Sequence, residues 1–163
     1  MRPHTLIGHM NLYKATIHNS NNTLPKWYLE ALGVYTSSLN KCEYCVVHHT
    51  AGLRRLLNDD ELTTNFLQKA KEDNVDGLFD SSHDVGFAYA KQITLNLDSS
   101  SENDIQKLRD AGFSDGEVLE INQVVSYFNY VNRMVVSLGV NIAGDIIGLS
   151  PNNSDDPNQW NHD

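Results

Sequence analysis

Long apolar runs are missing from this chain. No stretch approaches the roughly 18 consecutive apolar residues that a membrane span needs, although hydrophobic residues make up 40% of the 163. The N-terminal Met1-Arg2-Pro3-His4-Thr5 lacks the apolar core of a secretory signal. A soluble, cytoplasmic protein with no membrane partner is therefore expected. Basic residues are also scarce: 12 Lys and Arg stand against 21 Asp and Glu, a net charge of −9. That balance argues against general nucleic-acid binding, which needs a basic face. No strand-like alternation of period two stands out, and no repeat is clear. The valine pairs Val46-Val47, Val124-Val125 and Val135-Val136 fit helical spacing better. The chain has only two cysteines, with no second C-x-x-C and no H-x-x-x-H to complete a zinc tetrahedron.

What is present concentrates in Cys42-Glu43-Tyr44-Cys45-Val46-Val47-His48-His49. Both cysteines lie here, three positions apart. His49 follows the second by four positions, and Glu30 precedes the first by twelve. Two thiols, an imidazole and a carboxylate are the parts of a dithiol redox centre with its own proton relay, because a thiol attacks only as thiolate. A helix is expected from Lys41 to Leu57, N-capped by Asn40. At about 100° per residue, Cys42, Cys45 and His49 share one face. Cysteines at i and i+3 have Cα atoms about 5–6 Å apart, within disulfide range. Cys42 falls in the first turn, where free N–H groups and the helix dipole favour a thiolate. Two other readings compete. The cysteines could be small core hydrophobes, or Cys42, Cys45 and His49 could bind zinc with His48 or Glu30 as fourth ligand. His48 alone reads as a supporting polar residue.

The rest reads as an all-α single domain over 1–149 with a polar, acidic tail over 150–163. The tail carries Asp155, Asp156 and Asp163, with Trp160 its one large apolar residue. Helices are expected from His4 to His18, from Pro25 to Leu39, and from a cap at Asp59 through Ala70. A turn follows over Asn74 to Gly77. Capping-box pairs Ser81/Asp84, Ser101/Asp104 and Ser114/Glu117 start the remaining three helices, the last running to Leu138 and Gly139. Met10, Met134 and the valines are assigned to the core. The last long helix carries Tyr127, Phe128, Tyr130, Val131 and Val135, more aromatic and branched surface than one face buries, so a partner copy is expected against it. Asn129, Asn132 and Arg133 read as anchors of helix ends or of a subunit contact.

The spacing of Glu30, Cys42, Cys45 and His49 resembles the motif of the AhpD-like alkylhydroperoxidase branch of the carboxymuconolactone decarboxylase superfamily. Ser38-Leu39-Asn40-Lys41-Cys42-Glu43-Tyr44-Cys45, Leu108 to Ser114, and Tyr127 to Arg133 resemble stretches of its peroxidase-related branch. The likeness spans roughly residues 3 to 149. It implies an all-α fold and a homo-oligomer built on dimers, a trimer or hexamer among the forms. It also implies peroxide reduction through a Cys42–Cys45 disulfide without a cofactor. Carried across the motif, Cys45 is the peroxidatic thiol, Cys42 the resolving thiol, and Glu30 with His49 the proton relay. The partners implied are a hydroperoxide substrate and a dithiol reductant that the sequence does not identify. AhpD itself often carries His just before its second cysteine, where Tyr44 stands here. A redox-sensing or partner-binding oligomer, in which disulfide formation alters an interface, is the alternative.

Overall fold

The computed structural model describes residues 2–148, and within them the chain is seven α-helices with no strand. They are α1 (Pro3–Ile17), α2 (Lys26–Leu39), α3 (Glu43–Leu57), α4 (Asp60–Lys71), α5 (Ser81–Leu95), α6 (Glu102–Asp110) and α7 (Asp115–Ser137), with a 3₁₀ turn at Leu97–Ser99. None is long and apolar enough to cross a membrane. The tail, including Trp160, lies outside the described residues.

The fold is built around α2. Its run Tyr28-Leu29-Glu30-Ala31-Leu32-Gly33-Val34-Tyr35-Thr36-Ser37 is buried on every face. A helix apolar all round must be covered on all sides, and α1, α3, α4, α5 and α7 all pack against it. Two glycines permit the closest approaches. A Cβ on Gly33 would run into the Phe128 ring of α7, and one on Gly86 of α5 would run into the Tyr28 hydroxyl. The far end of the core is an aromatic cluster in which Trp27, Tyr28, Phe66, Phe79 and Phe87 pack on one another. The loop before α2 is pinned to α7, because the Thr23 and Leu24 N–H groups donate to the Glu120 carboxylate at 2.8 and 2.9 Å.

Most expected helix starts are present. Asp59 accepts from Leu62 N at 2.9 Å, and Ser101/Asp104 and Ser114/Glu117 form reciprocal capping boxes. Two differ. The Ser81/Asp84 pair forms no box: α5 begins after Asp80, and Asp84 turns back to accept the Gly77 N–H at 3.1 Å, closing the preceding turn. Asn40 does not cap the cysteine helix. It ends α2, Lys41 takes a left-handed conformation (φ 56°), and Cys42 itself stands at the N-cap of α3. The Asn40 side chain is drawn instead to α7, as described below.

The surface of α7 also departs from expectation. Tyr127 and Phe128 are buried within the chain, because α1 crosses over Tyr127 and α2 receives Phe128. Met134, expected in the core, is exposed, as are Tyr130 and Val136. With Leu6, Ile7 and Leu12 of α1, and Leu138 and Ile146 beyond α7, they leave much apolar surface on α1 and the C-terminal part of the described chain.

Gly33→Leu should destabilise the fold by about 1–3 kcal/mol or more, since overpacking a close helix crossing forces the backbones apart. Denaturant unfolding measures this, and an unchanged midpoint would mean that α2 and α7 do not need the small residue.

Candidate functional site

Glu30 projects from the middle of α2 into the interior and is only 1% exposed. His49, two turns along α3 from its start, meets it: Nδ1 lies 2.8 Å from Glu30 Oε2. A carboxylate can only accept, so Nδ1 carries the hydrogen and Nε2 is left as the basic nitrogen of the ring. The ring is fixed edge-on against Phe128, with centroids 4.7 Å apart, and Tyr13 of α1 flanks it at 6.2 Å.

Cys42 and Cys45 are free thiols, 0% and 3% exposed, joined by a hydrogen bond between their side chains. A shared S–H···S bond lets the pair carry one thiolate, and the two sulfurs then titrate as a unit. Cys42 is pushed down to about 7, chiefly by the hydrogen bond from Cys45, with help from backbone N–H, Asn132 and His49. Cys45 is pushed up, because it is the donor to Cys42 and because it is buried. The N-cap position gives Cys42 the unpaired N–H groups of a helix start. The sequence placed Cys42 inside the first turn; one residue earlier, it keeps the same advantage.

The two cysteines border different hollows. Cys45 and His49 share the wall of a cavity of about 650 Å³ with Met10, Tyr13, Tyr127 and Val131. Cys42 borders a smaller one of about 210 Å³, with Lys41, Glu43 and Val136. Tyr44, Val135 and Val140 line both. The segment after Gly139 crosses this region. Val140, Asn141 and Ile142 lie by Cys42, and Gly144, Asp145 and Ile146 by Cys45. Asp145 Oδ2 lies 3.3 Å from His48 Nε2, and Gly148 approaches Ala51 so closely that a Cβ there would collide with it. His48 thus has a structural partner apart from the thiols. Among the described residues, no group of three or more His, Cys, Asp or Glu side chains is arranged to hold a metal ion.

The polar residues of α7 explain the short left-handed joint between α2 and α3. Asn40 Nδ2 donates to Asn129 Oδ1 at 3.1 Å and to Asn132 Oδ1 at 3.0 Å. Arg133 donates to Asn129 Oδ1 at 2.9 Å, and Asn129 Nδ2 to Thr94 Oγ1 at 2.9 Å. Asn132, 1% exposed, donates to Ser37 Oγ at 3.0 Å and lies near enough to both thiols to favour their ionised forms. Asn129 thus ties the end of α2 to α7 and Arg133 braces Asn129, while Asn132 lies by the sulfurs as well. The sequence did not point to Tyr13, His18 or Tyr127 at this site. All three depend on how α1 crosses α2 and α7, which no local pattern encodes.

Solved structures share this arrangement of helices. An uncharacterized peroxidase-related protein from Silicibacter sp. TM1040 is 27% identical, with a TM-score of 0.75 over 83% of this chain and 69% of its own. The alkylhydroperoxidase AhpD core of an uncharacterized peroxidase-related protein from Ralstonia eutropha JMP134 is 24% identical, with a TM-score of 0.76 over 86% and 71%. The chain shares the fold of these AhpD-like, peroxidase-related proteins. A protein of unknown function from Agrobacterium tumefaciens, provisionally assigned as an antioxidant defence protein AhpD, has the same fold at 16% identity, with a TM-score of 0.71 over 85% and 90%. No family model matches the sequence, and no curated protein matches it either. In this chain the cysteine pair sits at the start of α3, and the buried carboxylate Glu30 lies in the central helix α2.

Asn132→Ala should raise the thiolate pKa of the pair above its value of about 7, by about one unit for the loss of one amide donor beside a charged sulfur. Thiolate absorbance at about 240 nm against pH reads this directly. An unchanged titration would confine Asn132 to the Asn40 network.

Proposed function

We propose that the chain is a thiol-dependent peroxidase that reduces hydroperoxides through Cys42 and Cys45, with Glu30 and His49 relaying the proton. The observation that carries this reading is the buried hydrogen bond from His49 to Glu30 beside a cavity that also reaches Cys45. The peroxidase-related relatives support it at the level of reaction class.

Cys45 is the attacking sulfur in this reading, because it borders the larger cavity together with the imidazole. Its proton passes to His49, which becomes the imidazolium that serves the next step. The Cys45 thiolate displaces alkoxide from the O–O bond and becomes the sulfenic acid, while protonated His49 hands a proton to the leaving oxygen. The Cys42 thiolate then attacks the sulfenic sulfur, hydroxide leaves and takes a proton from solvent to become water, and the Cys42–Cys45 disulfide forms. An external dithiol restores the pair and is itself oxidised to a disulfide. A reducing, cytoplasmic setting suits a site whose resting state is the dithiol. The apolar surface on α1 and the end of α7 supports a homo-oligomer, whose smallest unit is a dimer.

Two experiments test this. Cys45→Ser should abolish peroxide-driven disulfide formation, and Cys42→Ser should leave a sulfenic acid that dimedone traps. Labelling of Cys42 in the Cys45→Ser protein would reverse the roles. Disulfide formation without turnover in the presence of a dithiol donor would turn the reading to redox sensing. Light scattering should give a mass that is a multiple of the 18.3 kDa chain, and a monomer would remove the oligomer from the proposal.

A further inference from the structure

Glu30 has a second oxygen, and the relay from His49 does not use it. Oε1 is buried and makes no hydrogen bond. The group facing it is the imidazole of His18, at the C-terminal end of α1, whose Nε2 lies 3.8 Å away and is likewise buried without a hydrogen-bond partner. The carboxylate thus lies between two imidazoles, one on each oxygen: His49 bonded to Oε2, His18 opposed to Oε1.

The separation is long for a direct hydrogen bond, so the contact acts as an N–H dipole on a buried charge. In a dry interior that interaction is far stronger than in water. The surroundings fix which form of His18 supplies it. Burial holds its protonation down to about pH 4, and the charges of His49, Lys26 and Lys14 oppose a cation there, against the pull of Glu30. His18 is therefore neutral through the physiological range. Tyr13 packs edge-on against its ring, with centroids 4.7 Å apart, and Tyr127 lies within electrostatic reach of Glu30. The His18 side chain is not needed to end α1. The cap is a backbone bond from His18 N–H to Lys14 O at 3.2 Å, and φ of −114° suits any residue.

We propose that His18 is a positioning residue of the thiol site: a neutral Nε2–H donor dipole on Oε1 that keeps Glu30 ionised, and so holds His49 with its hydrogen on Nδ1 and Nε2 free as base. This rests on the relay reading of Glu30 and His49. Without the donor, the charge on Glu30 is left to His49 alone. The Glu30–His49 pair then binds its proton more tightly, and the base is lost at higher pH.

The test compares His18→Phe, which keeps a ring against Tyr13 but has no N–H, with His18→Gln, which keeps an N–H donor. Imidazole ¹⁵N NMR follows the His49 titration, and iodoacetamide alkylation follows thiol reactivity against pH; neither needs peroxide turnover. In His18→Phe the His49 midpoint and the acid limb of alkylation should move up by about one pH unit, tenfold in proton affinity, while His18→Gln stays close to the parent. Equal behaviour of both variants, whether shifted or unshifted, would overturn the proposal and leave His18 as packing for Tyr13. Peroxide turnover of the parent protein is measured alongside. Its absence would defeat the peroxidase reading while the NMR and alkylation results still decide His18.

Discussion

A carboxylate buried in the central helix is the constraint around which this molecule is arranged. Glu30 sits in the one helix covered on every side, where an unpaired charge would cost several kcal/mol. Its neighbours in the chain, Leu29, Ala31 and Leu32, are all fully buried, and Glu30 itself is only 1% exposed. The fold answers by bringing α3 across so that His49 meets one oxygen, and α1 across so that His18 faces the other. The small residue at Gly33 lets Phe128 lie close enough to brace the His49 ring. Core packing and site geometry are therefore one arrangement, and a change in the α2–α7 crossing is also a change at the base.

The second requirement is a sharp joint that sets Cys42 at the head of α3. A left-handed Lys41 is unfavourable for a non-glycine residue, and the asparagines of α7 supply what holds it. Asn40 is bound from two positions on that helix, and Cys42 N–H donates to Ser37 O at 2.9 Å. Asn132 belongs to this clamp and also lies by the sulfurs. The same side chain thus bears on the conformation of the joint and, as one contribution among several, on the ionisation of the thiols.

The sequence made part of this visible, and the division has a physical basis. Cys42, Cys45 and His49 lie on one helix, so spacing alone put them on one face. Ser101/Asp104 and Ser114/Glu117 are local patterns, and they formed as expected. Glu30 was legible only beside the others, through its place in a family-like motif. Asn40 reads as an N-cap by residue type, yet its side chain serves α7, 89 and 92 positions away. Asp84 likewise closes a turn instead of capping α5. His18 stands at the edge of the polar run Asn19-Ser20-Asn21-Asn22 and looks like loop; only the crossing of α1 over α2 turns it toward Glu30. Two of the three local capping pairs were readable, and pairings made by helix crossings were readable only where the family-like motif joined them, as for Glu30 and His49.

The unequal thiols acquire a meaning when both halves of the proposed cycle are set side by side. Cys42 holds the thiolate more readily but faces the smaller hollow, and Cys45 holds its proton but faces the larger cavity. A thiol of higher pKa is the stronger nucleophile once its proton is taken, and His49 stands on the same cavity wall to take it. In the return step the better leaving group is the thiol of lower pKa. An external dithiol that attacks Cys45 from the same cavity therefore expels Cys42, whose thiolate is received by the N–H groups at the head of α3 and by Asn132. On this reading one opening serves both oxidant and reductant. In the proposed cycle, access to the larger cavity selects Cys45 for attack, and the lower pKa of Cys42 makes it the sulfur released when the disulfide is reduced.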